Sequence, residues 1–374
     1  MESSIEIYVA THKPIDFALP DYCKKIQVNA EANGQWPGYL HDNDGLDNIS
    51  LKNPNYCELT VLYSMWKNCK SDIQGLFHYR RYMMSRINRM TASFDELIKT
   101  AYVFPDEVRN ACVTAEEIIE ALKNNDIILP MPVSRSPLNV LETMAFFCRK
   151  YKYINVMRKV IRDFWPDYLL ALYEVFDGEF MSVCNMFITG RKITDEYCEW
   201  LFSVLGKVEN LVSNYEGKED YARLYGYLSE ILINVFVRKN NLSAKYFYKN
   251  MVRSSNDENK IIRAARKIPF LMTAFNSVRR MMKRKYHEEI RESENFSVKI
   301  RKFTGFNIYD SLFIAELTPK IDNLIPALEE ILPSLNSETK NSGMLLVPRI
   351  IISGKIPASL HEALWDIGVS IVNR

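Results

Sequence analysis

Ile73-Gln74-Gly75-Leu76-Phe77-His78-Tyr79-Arg80-Arg81-Tyr82 begins as a short apolar strand and ends in a polar, cationic cluster. Upstream of it, Leu59, Leu62, Tyr63 and Trp66 recur at helical spacing and predict a helix from about Asn55 to Lys67. Further upstream, Ile5–Ala10 is a β-rich run that passes into Thr11-His12-Lys13 and stops at Pro14. A second strand is expected over Lys25–Asn29, then a Gly-, Asn-, Asp- and Pro-rich loop from Ala30 to Ile49. Downstream, Thr114-x-x-Glu117 is a capping box opening a helix that runs to about Lys123. A strand follows at Ile127–Pro130, with three helical stretches between Ser136 and about Phe176. Cys184–Thr189 reads as a strand, and helices are expected near Asp195–Leu205 and over Tyr221–Val237. Strands alternating with helices predict an α/β domain with a mostly parallel sheet. Such sheets bind ligands at the carboxyl ends of their strands, where the clusters at 11–13 and 78–82 fall.

The 374 residues are enough for two domains, and an apolar share of 47% with 25% charged residues is that of a folded globular chain. Lys and Arg number 48 against 46 Asp and Glu, so a net charge of +2 argues against a nucleic-acid binder. No apolar run approaches the ~20 residues of a membrane-spanning helix. The acidic start, Met1–Glu6, is not a secretory signal. Seven scattered cysteines, none spaced Cys-x-x-Cys, read as reduced thiols, and the expected location is the cytoplasm.

The composition shifts after Asn250. From Arg253 to Lys285 there are ten Lys or Arg against Asp257 and Glu258. Leu271, Phe275, Val278 and Met282 mark one helical face, flanked by Arg279, Arg280, Lys283 and Arg284. A basic amphipathic helix suits an anionic membrane surface, and a solvated surface helix is the plainer alternative. The expected divisions are a first domain over 1–250, a basic helical linker over 251–296, and a small α/β unit over 297–374. The last has a helix near Ile321–Leu332, a strand at Met344–Ile352, a helix near Ala358–Asp366 and a strand at Val369–Val372.

No Gly-rich phosphate loop, His-Glu-x-x-His, Gly-x-Ser-x-Gly or kinase set is present. Asp42-Asn43-Asp44-Gly45-Leu46-Asp47 departs from the calcium-loop template in its glycine position, and turn formation explains it better than a metal. Arg80 and Arg81 stay charged and bind phosphate oxygens bidentately, so they fit a diphosphate. A surface salt-bridge cluster is the alternative.

The run Asp47-Asn48-Ile49-Ser50, Asn53, Tyr56-Cys57-Glu58-Leu59-Thr60, Trp66-Lys67-Asn68 and His78-Tyr79-Arg80-Arg81-Tyr82 resembles a bacterial capsule and exopolysaccharide biosynthesis family. Its members look like glycosyltransferases, some assigned as galactofuranosyltransferases. Tyr8–Lys13, Asn185-Met186-Phe187, Arg223, Gly226-Tyr227 and Glu230 extend the resemblance over roughly residues 4 to 240. It implies an A-type glycosyltransferase fold, with the nucleotide at the end of the first strand. Where that fold carries a metal-binding Asp-x-Asp, this chain has His78-Tyr79-Arg80-Arg81, so the arginines are expected to replace the cation. No cofactor is then implied, with manganese or magnesium at Asp42 and Asp44 as the alternative.

The function expected is transfer of a sugar from a UDP donor to a lipid-linked glycan at the inner membrane face. Thr11, His12 and Lys13 border the nucleotide in this reading, and Arg80 and Arg81 hold the diphosphate. Asn48, Ser50, Asn53 and Asn185 contact the sugar. The candidates for a catalytic base are Asp47, Glu58, His78 and Glu230, with Asp47 and His78 preferred for their places at loop and strand ends. The alternative function is a non-catalytic glycan-binding or scaffold module, and a nucleic-acid binder through the 253–285 patch is the third.

Overall fold

The computed structural model describes residues 3–85, 93–95, 100–134, 138–148, 151–212, 222–253, 285–304, 312–342, 345–353 and 357–373. The chain divides into two compact units, one of residues 1–140 and 144–273, the other of 141–143 and 274–374.

The first unit is built on strands β1 (Ile5–Thr11), β2 (Cys23–Gln27), β3 (Leu40–His41), β4 (Ile73–His78), β5 (Arg81–Met84), β6 (Ser93–Asp95), β7 (Thr100–Val103) and β8 (Ile127–Pro130). A small ribbon, β9 (Val133–Ser134) with β10 (Phe180–Met181), stands apart from the main sheet. Strands β11 (Phe187–Gly190) and β12 (Ala244–Val252) complete it. Ten strands form one sheet in the order β3-β2-β1-β4-β11-β8-β12-β7-β6, with β5 bonded to β4 and β12.

The expected α/β class holds, but the sheet is mixed rather than mostly parallel. β2 with β3, β1 with β2 and β4, and β12 with β7 and β8 are parallel. The pairings β4–β11, β11–β8, β12–β5, β4–β5 and β6–β7 are antiparallel. The reason is local for β5: only Tyr79 and Arg80 separate it from β4, and so short a link can join only antiparallel strands. Gly75 is needed where β11 closes on β4, because a Cβ there would sit 2.6 Å from the Phe187 carbonyl oxygen.

Every residue of β4 is buried, as expected of a central strand covered on both faces. Ile7, Val9, Ile73, Phe77, Ile128, Ile188 and Phe247 form the core on one side. Side chains alternate along a strand, so Gln74, Leu76 and His78 point to the other. The helices of this unit are α1 (Ala30–Asn33), α2 (Asn53–Tyr56), α3 (Leu59–Asn68), α4 (Val108–Ala111), α5 (Ala115–Lys123), α6 (Val140–Cys148), α7 (Tyr151–Phe164), α8 (Leu169–Asp177), α9 (Arg191–Val212) and α10 (Leu224–Lys239). Leu224, Leu228, Ile231, Leu232 and Val235 of α10 are buried at helical spacing. The Thr114 capping box forms as expected: its hydroxyl accepts from Glu117 N at 3.2 Å, and the Glu117 carboxylate accepts from Thr114 N at 3.0 Å.

The helix expected from Asn55 to Lys67 is two helices. The chain breaks at Cys57, whose φ of 52° lies in the left-handed region, and restarts at α3. The strand at Ala244–Val252 is unannounced by any expectation and lies in the middle of the sheet.

The second unit has a five-stranded sheet of β13 (Lys285–Glu292), β14 (Phe296–Thr304), β15 (Leu312–Pro319), β16 (Leu345–Ile352) and β17 (Ser370–Asn373), in that order. The first three are antiparallel and the last three parallel, the parallel crossovers carrying α11 (Leu324–Ser342) and α12 (Ala358–Asp366). Phe296, Val298, Ile300, Phe313, Leu328 and Leu364 are among its core residues. Lys285–Glu292, expected in the linker, is the edge strand of this sheet. The amphipathic stretch carrying Arg279, Arg280, Lys283 and Arg284 lies outside the described residues. Among the described residues no helix is long and apolar enough to cross a membrane.

Candidate functional site

At the carboxyl end of β4, His78 is buried and its Nε2 meets the Cys184 carbonyl. A carbonyl only accepts, so Nε2 carries the hydrogen. Burial, with Arg81 and Lys249 nearby, lowers its proton affinity against the opposing pull of Glu58, so the ring is neutral near pH 7. The Glu58 carboxylate lies 3.8 Å from the same nitrogen. It is positioned by the break at Cys57 and held by Asn185, whose Nδ2 donates to Glu58 Oε1 at 2.7 Å and stands 2.9 Å from the Gly226 carbonyl. Ser229 Oγ reaches Asn185 Oδ1 at 2.9 Å.

Glu230, in the first turns of α10, faces this group. Burial and then the Glu58 charge push its carboxyl up to about 7, against a backbone hydrogen bond from Cys184 and the nearby charges of Lys249 and Arg81. Two carboxylates sharing a poorly hydrated place with His78 form a proton-handling group, since one holds its proton near neutral pH. Of the six non-glycine residues with positive φ among the described residues, Cys57, Cys184, Asn185 and Arg223 all surround it. Backbone strain of this kind persists where surrounding structure enforces it, and it gathers at functional sites. Gly226 permits the close approach: a Cβ there would sit 3.3 Å from both Cβ and Sγ of Cys57.

A lip of cationic and aromatic groups lies beside it, because β1 and β4 are parallel neighbours with Ala10 opposite His78. His12 packs edge-on to Tyr79, ring centroids 4.5 Å apart, and the Arg80 guanidinium lies 5.0 Å from the Tyr79 ring. Burial, Lys13 and Arg80 lower the proton affinity of His12. Thr11 is buried and its hydroxyl is engaged with the Lys13 backbone, fixing the turn. Arg80 and Arg81 part company here: Arg80 is exposed beside Tyr79 and His12, whereas Arg81 turns toward His78, Cys184 and Glu230. Arg80 lies in the two-residue turn and Arg81 opens β5 opposite His78, so the two do not share one set of neighbours.

The structure does not bring Asp47 to this group. Its carboxylate stands on the surface with Tyr63 Oη at 2.7 Å and Lys67 Nζ at 3.2 Å, the Tyr63 hydrogen bond being the main cause of its lowered proton affinity. Asn48, Ser50 and Asn53 are spent on the backbone and the buried Asp42. Asn48 Oδ1 accepts from Ser50 N at 3.1 Å, Asn53 Nδ2 donates to the Cys57 carbonyl at 2.7 Å, and Ser50 Oγ donates to Asp42 Oδ1 at 2.5 Å. The Asp42 oxygens also accept from Asn29 N at 2.7 Å, Ala30 N at 3.0 Å and Thr60 Oγ1 at 2.6 Å. With both oxygens so engaged, and Asp44 turned to His41 at 3.2 Å, these aspartates do not fit a divalent cation. Among the described residues no three His, Cys, Asp or Glu side chains gather as metal ligands.

Lys249, on β12, escapes sequence reading because its strand does. It is buried, with its Nζ 3.6 Å from Cys184 Sγ. The only local signal was the aromatic run Tyr246-Phe247-Tyr248 ahead of it.

The chain is similar to the apo structure of WbbM, a bifunctional glycosyltransferase, with a TM-score of 0.56 at 22% identity. The match covers 99% of this chain and 59% of that one, so the chain spans about three-fifths of WbbM, and at this identity the likeness is one of fold. No curated protein matches it. Residues 6–241, which hold the sheet through α10 and every carboxylate of the site, match the family model described as a domain of unknown function, DUF4422. Since that is well over half of its length, the chain belongs to the DUF4422 family.

Proposed function

We propose that the protein is a glycosyltransferase that moves a sugar from a nucleoside-diphosphate donor to a hydroxyl group of a glycan. The observation that carries this reading is the Glu58–Glu230–His78 group at the carboxyl edge of parallel strands β1 and β4, on a fold shared with a glycosyltransferase. In this reading Glu230 accepts the proton of the acceptor hydroxyl as its oxygen bonds to the anomeric carbon and the nucleoside diphosphate leaves. A base that titrates near the working pH is the effective choice. Glu58, fixed by Asn185, keeps the proton affinity of Glu230 high. His78 is neutral and orients the Cys184 turn rather than taking a proton.

Thr11, His12 and Lys13 border the nucleotide, with Tyr79 and Arg80 beside it. Cationic side chains neutralise charge on the leaving diphosphate in place of a metal ion. UDP as the nucleotide, galactofuranose as the sugar and a lipid-linked capsule or exopolysaccharide precursor as the acceptor complete the proposal, on the motif resemblance of residues 47–82. The basic stretch 253–285 would then meet anionic lipid at the inner membrane face, which sedimentation with anionic and neutral vesicles tests.

Calorimetric titration of UDP, with manganese and with EDTA, tests the reading. Binding that survives EDTA and is followed by sugar-dependent UDP release supports it. Binding only with manganese overturns the metal-free part, and no binding under either condition overturns the whole.

A further inference from the structure

Among the described residues, two cations beside the carboxylate pair stand outside ion-pair distance of any carboxylate. Lys249 is only 6% exposed, and among the described residues no carboxylate stands at ion-pair distance from its Nζ. On the antiparallel neighbour β5, Arg81 lies opposite Met251 and Met83 lies opposite Lys249. That register puts Arg81 and Lys249 on the same face as diagonal neighbours. Among the described residues the buried Nε of Arg81 has no hydrogen-bond partner, and Arg81 too forms no ion pair. Burying one unpaired cation is costly, and placing two together adds repulsion. A chain keeps such an arrangement where an anion from outside completes it.

We propose that Arg81 and Lys249 form an anion site that seats the diphosphate of the nucleotide donor, in place of the sequence-adjacent pair Arg80 and Arg81. This rests on the reading of the protein as a nucleotide-sugar transferase. The planar guanidinium takes two phosphate oxygens side by side, and the ammonium supplies a point charge to the neighbouring phosphate. The same two cations face Glu230, as do Glu58 from the start of α3 and Cys184 from the turn before β11. The phosphate charge released when the sugar leaves lands beside these cations, so Glu230 holds a proton more tightly with UDP bound than in the donor complex. UDP thereby reproduces the state after transfer, when the acceptor's proton is on Glu230 and the diphosphate has left the sugar.

The test is calorimetry of UDP and of uridine with the whole protein in EDTA near pH 7, in two buffers of different ionisation enthalpy. Wild type, Lys249→Met and the surface control Arg238→Gln are compared; Arg238 pairs with Glu174, 2.5 Å away. Lys249→Met is expected to weaken UDP by about 10- to 100-fold, the effect of a lost charged hydrogen bond, and to leave uridine unchanged. Its melting temperature should stay level or rise, because an unpaired buried charge is gone. Wild type should take up a fraction of a proton with UDP. Equal UDP affinity in Lys249→Met and wild type would overturn the site while leaving the transferase reading intact. Equal loss of UDP and uridine would also overturn it, as general damage to the pocket. No UDP binding by wild type would instead overturn the transferase reading on which the site rests.

Discussion

Asp42 and Glu230 are both carboxylates enclosed in the first unit, and their surroundings treat them in opposite ways. Asp42 receives four donors, from Asn29, Ala30, Ser50 and Thr60. The Glu230 carboxyl is raised to about 7 by burial and then by a second carboxylate, Glu58, against a single backbone hydrogen bond from Cys184. The first arrangement holds a loop; the second leaves a group ready to exchange a proton. Polar residues close in sequence, 42–60, thus divide between scaffold and chemistry according to how fully each one's hydrogen bonds are met.

Breaking the proton-exchanging side should have the larger effect. Glu230→Gln removes the base while keeping the shape, and turnover should fall on the order of 10²- to 10⁴-fold with UDP affinity retained, as steady-state kinetics and calorimetry would measure. On the scaffold side, Asp42→Asn sets an NH₂ donor against donors and should cost on the order of 3 kcal/mol in denaturant unfolding. The fraction that still folds should turn over normally; a selective loss of turnover at full stability would erase the distinction between the two carboxylates.

The pH dependence of stability sharpens the contrast. Glu230 has a folded proton affinity raised above the unfolded carboxylate value of 4.5, so the folded state holds the proton more tightly. Its contribution is therefore present at acidic pH and is lost as pH rises from about 4.5 to about 7, worth on the order of 3 kcal/mol. Comparing wild type with Glu230→Gln by unfolding across this range isolates the slope, which the variant should lack. Gly226→Ala is a finer probe. The gain of about 1 kcal/mol in helix propensity is offset by crowding at Cys57, so stability should change little while displacement of Glu58 lowers turnover. Smallest of all is Asp47→Asn, expected to leave turnover unchanged and to shift stability by about 0.5 kcal/mol or less, as for an exposed pair.

Much of both units was legible in sequence where one local signal agreed with the tertiary outcome. The run 73–78 became the central strand, Thr114 capped its helix, and Ala358–Asp366 matched the helix expected near those residues. Other features depended on distant residues. β12 carries Lys249 and Asn250, whose polarity reads as the end of a domain until β5 and β7 pair with it. The break at Cys57 has no glycine or proline at the turn itself; it exists because Gly226 of α10 leaves room for it. His78 was nameable from its place at a strand end, and Glu58, Asn185 and Glu230 through the motif resemblance. Their assembly, and the separation of Arg80 from Arg81, follow only from the register of β4, β5 and β12.

The central claim is that the Glu58–Glu230 pair performs the proton transfer of a glycosyl transfer. It is tested most directly by the rate of UDP release from a UDP-sugar in the presence of a glycan acceptor, followed from about pH 5 to about pH 9 for wild type and Glu230→Gln. The account predicts that wild-type kcat/KM rises with pH and levels off above about 7, where Glu230 is ionised, and that the variant is slow and lacks this rise. A variant that turns over at the wild-type rate with the same profile would contradict it.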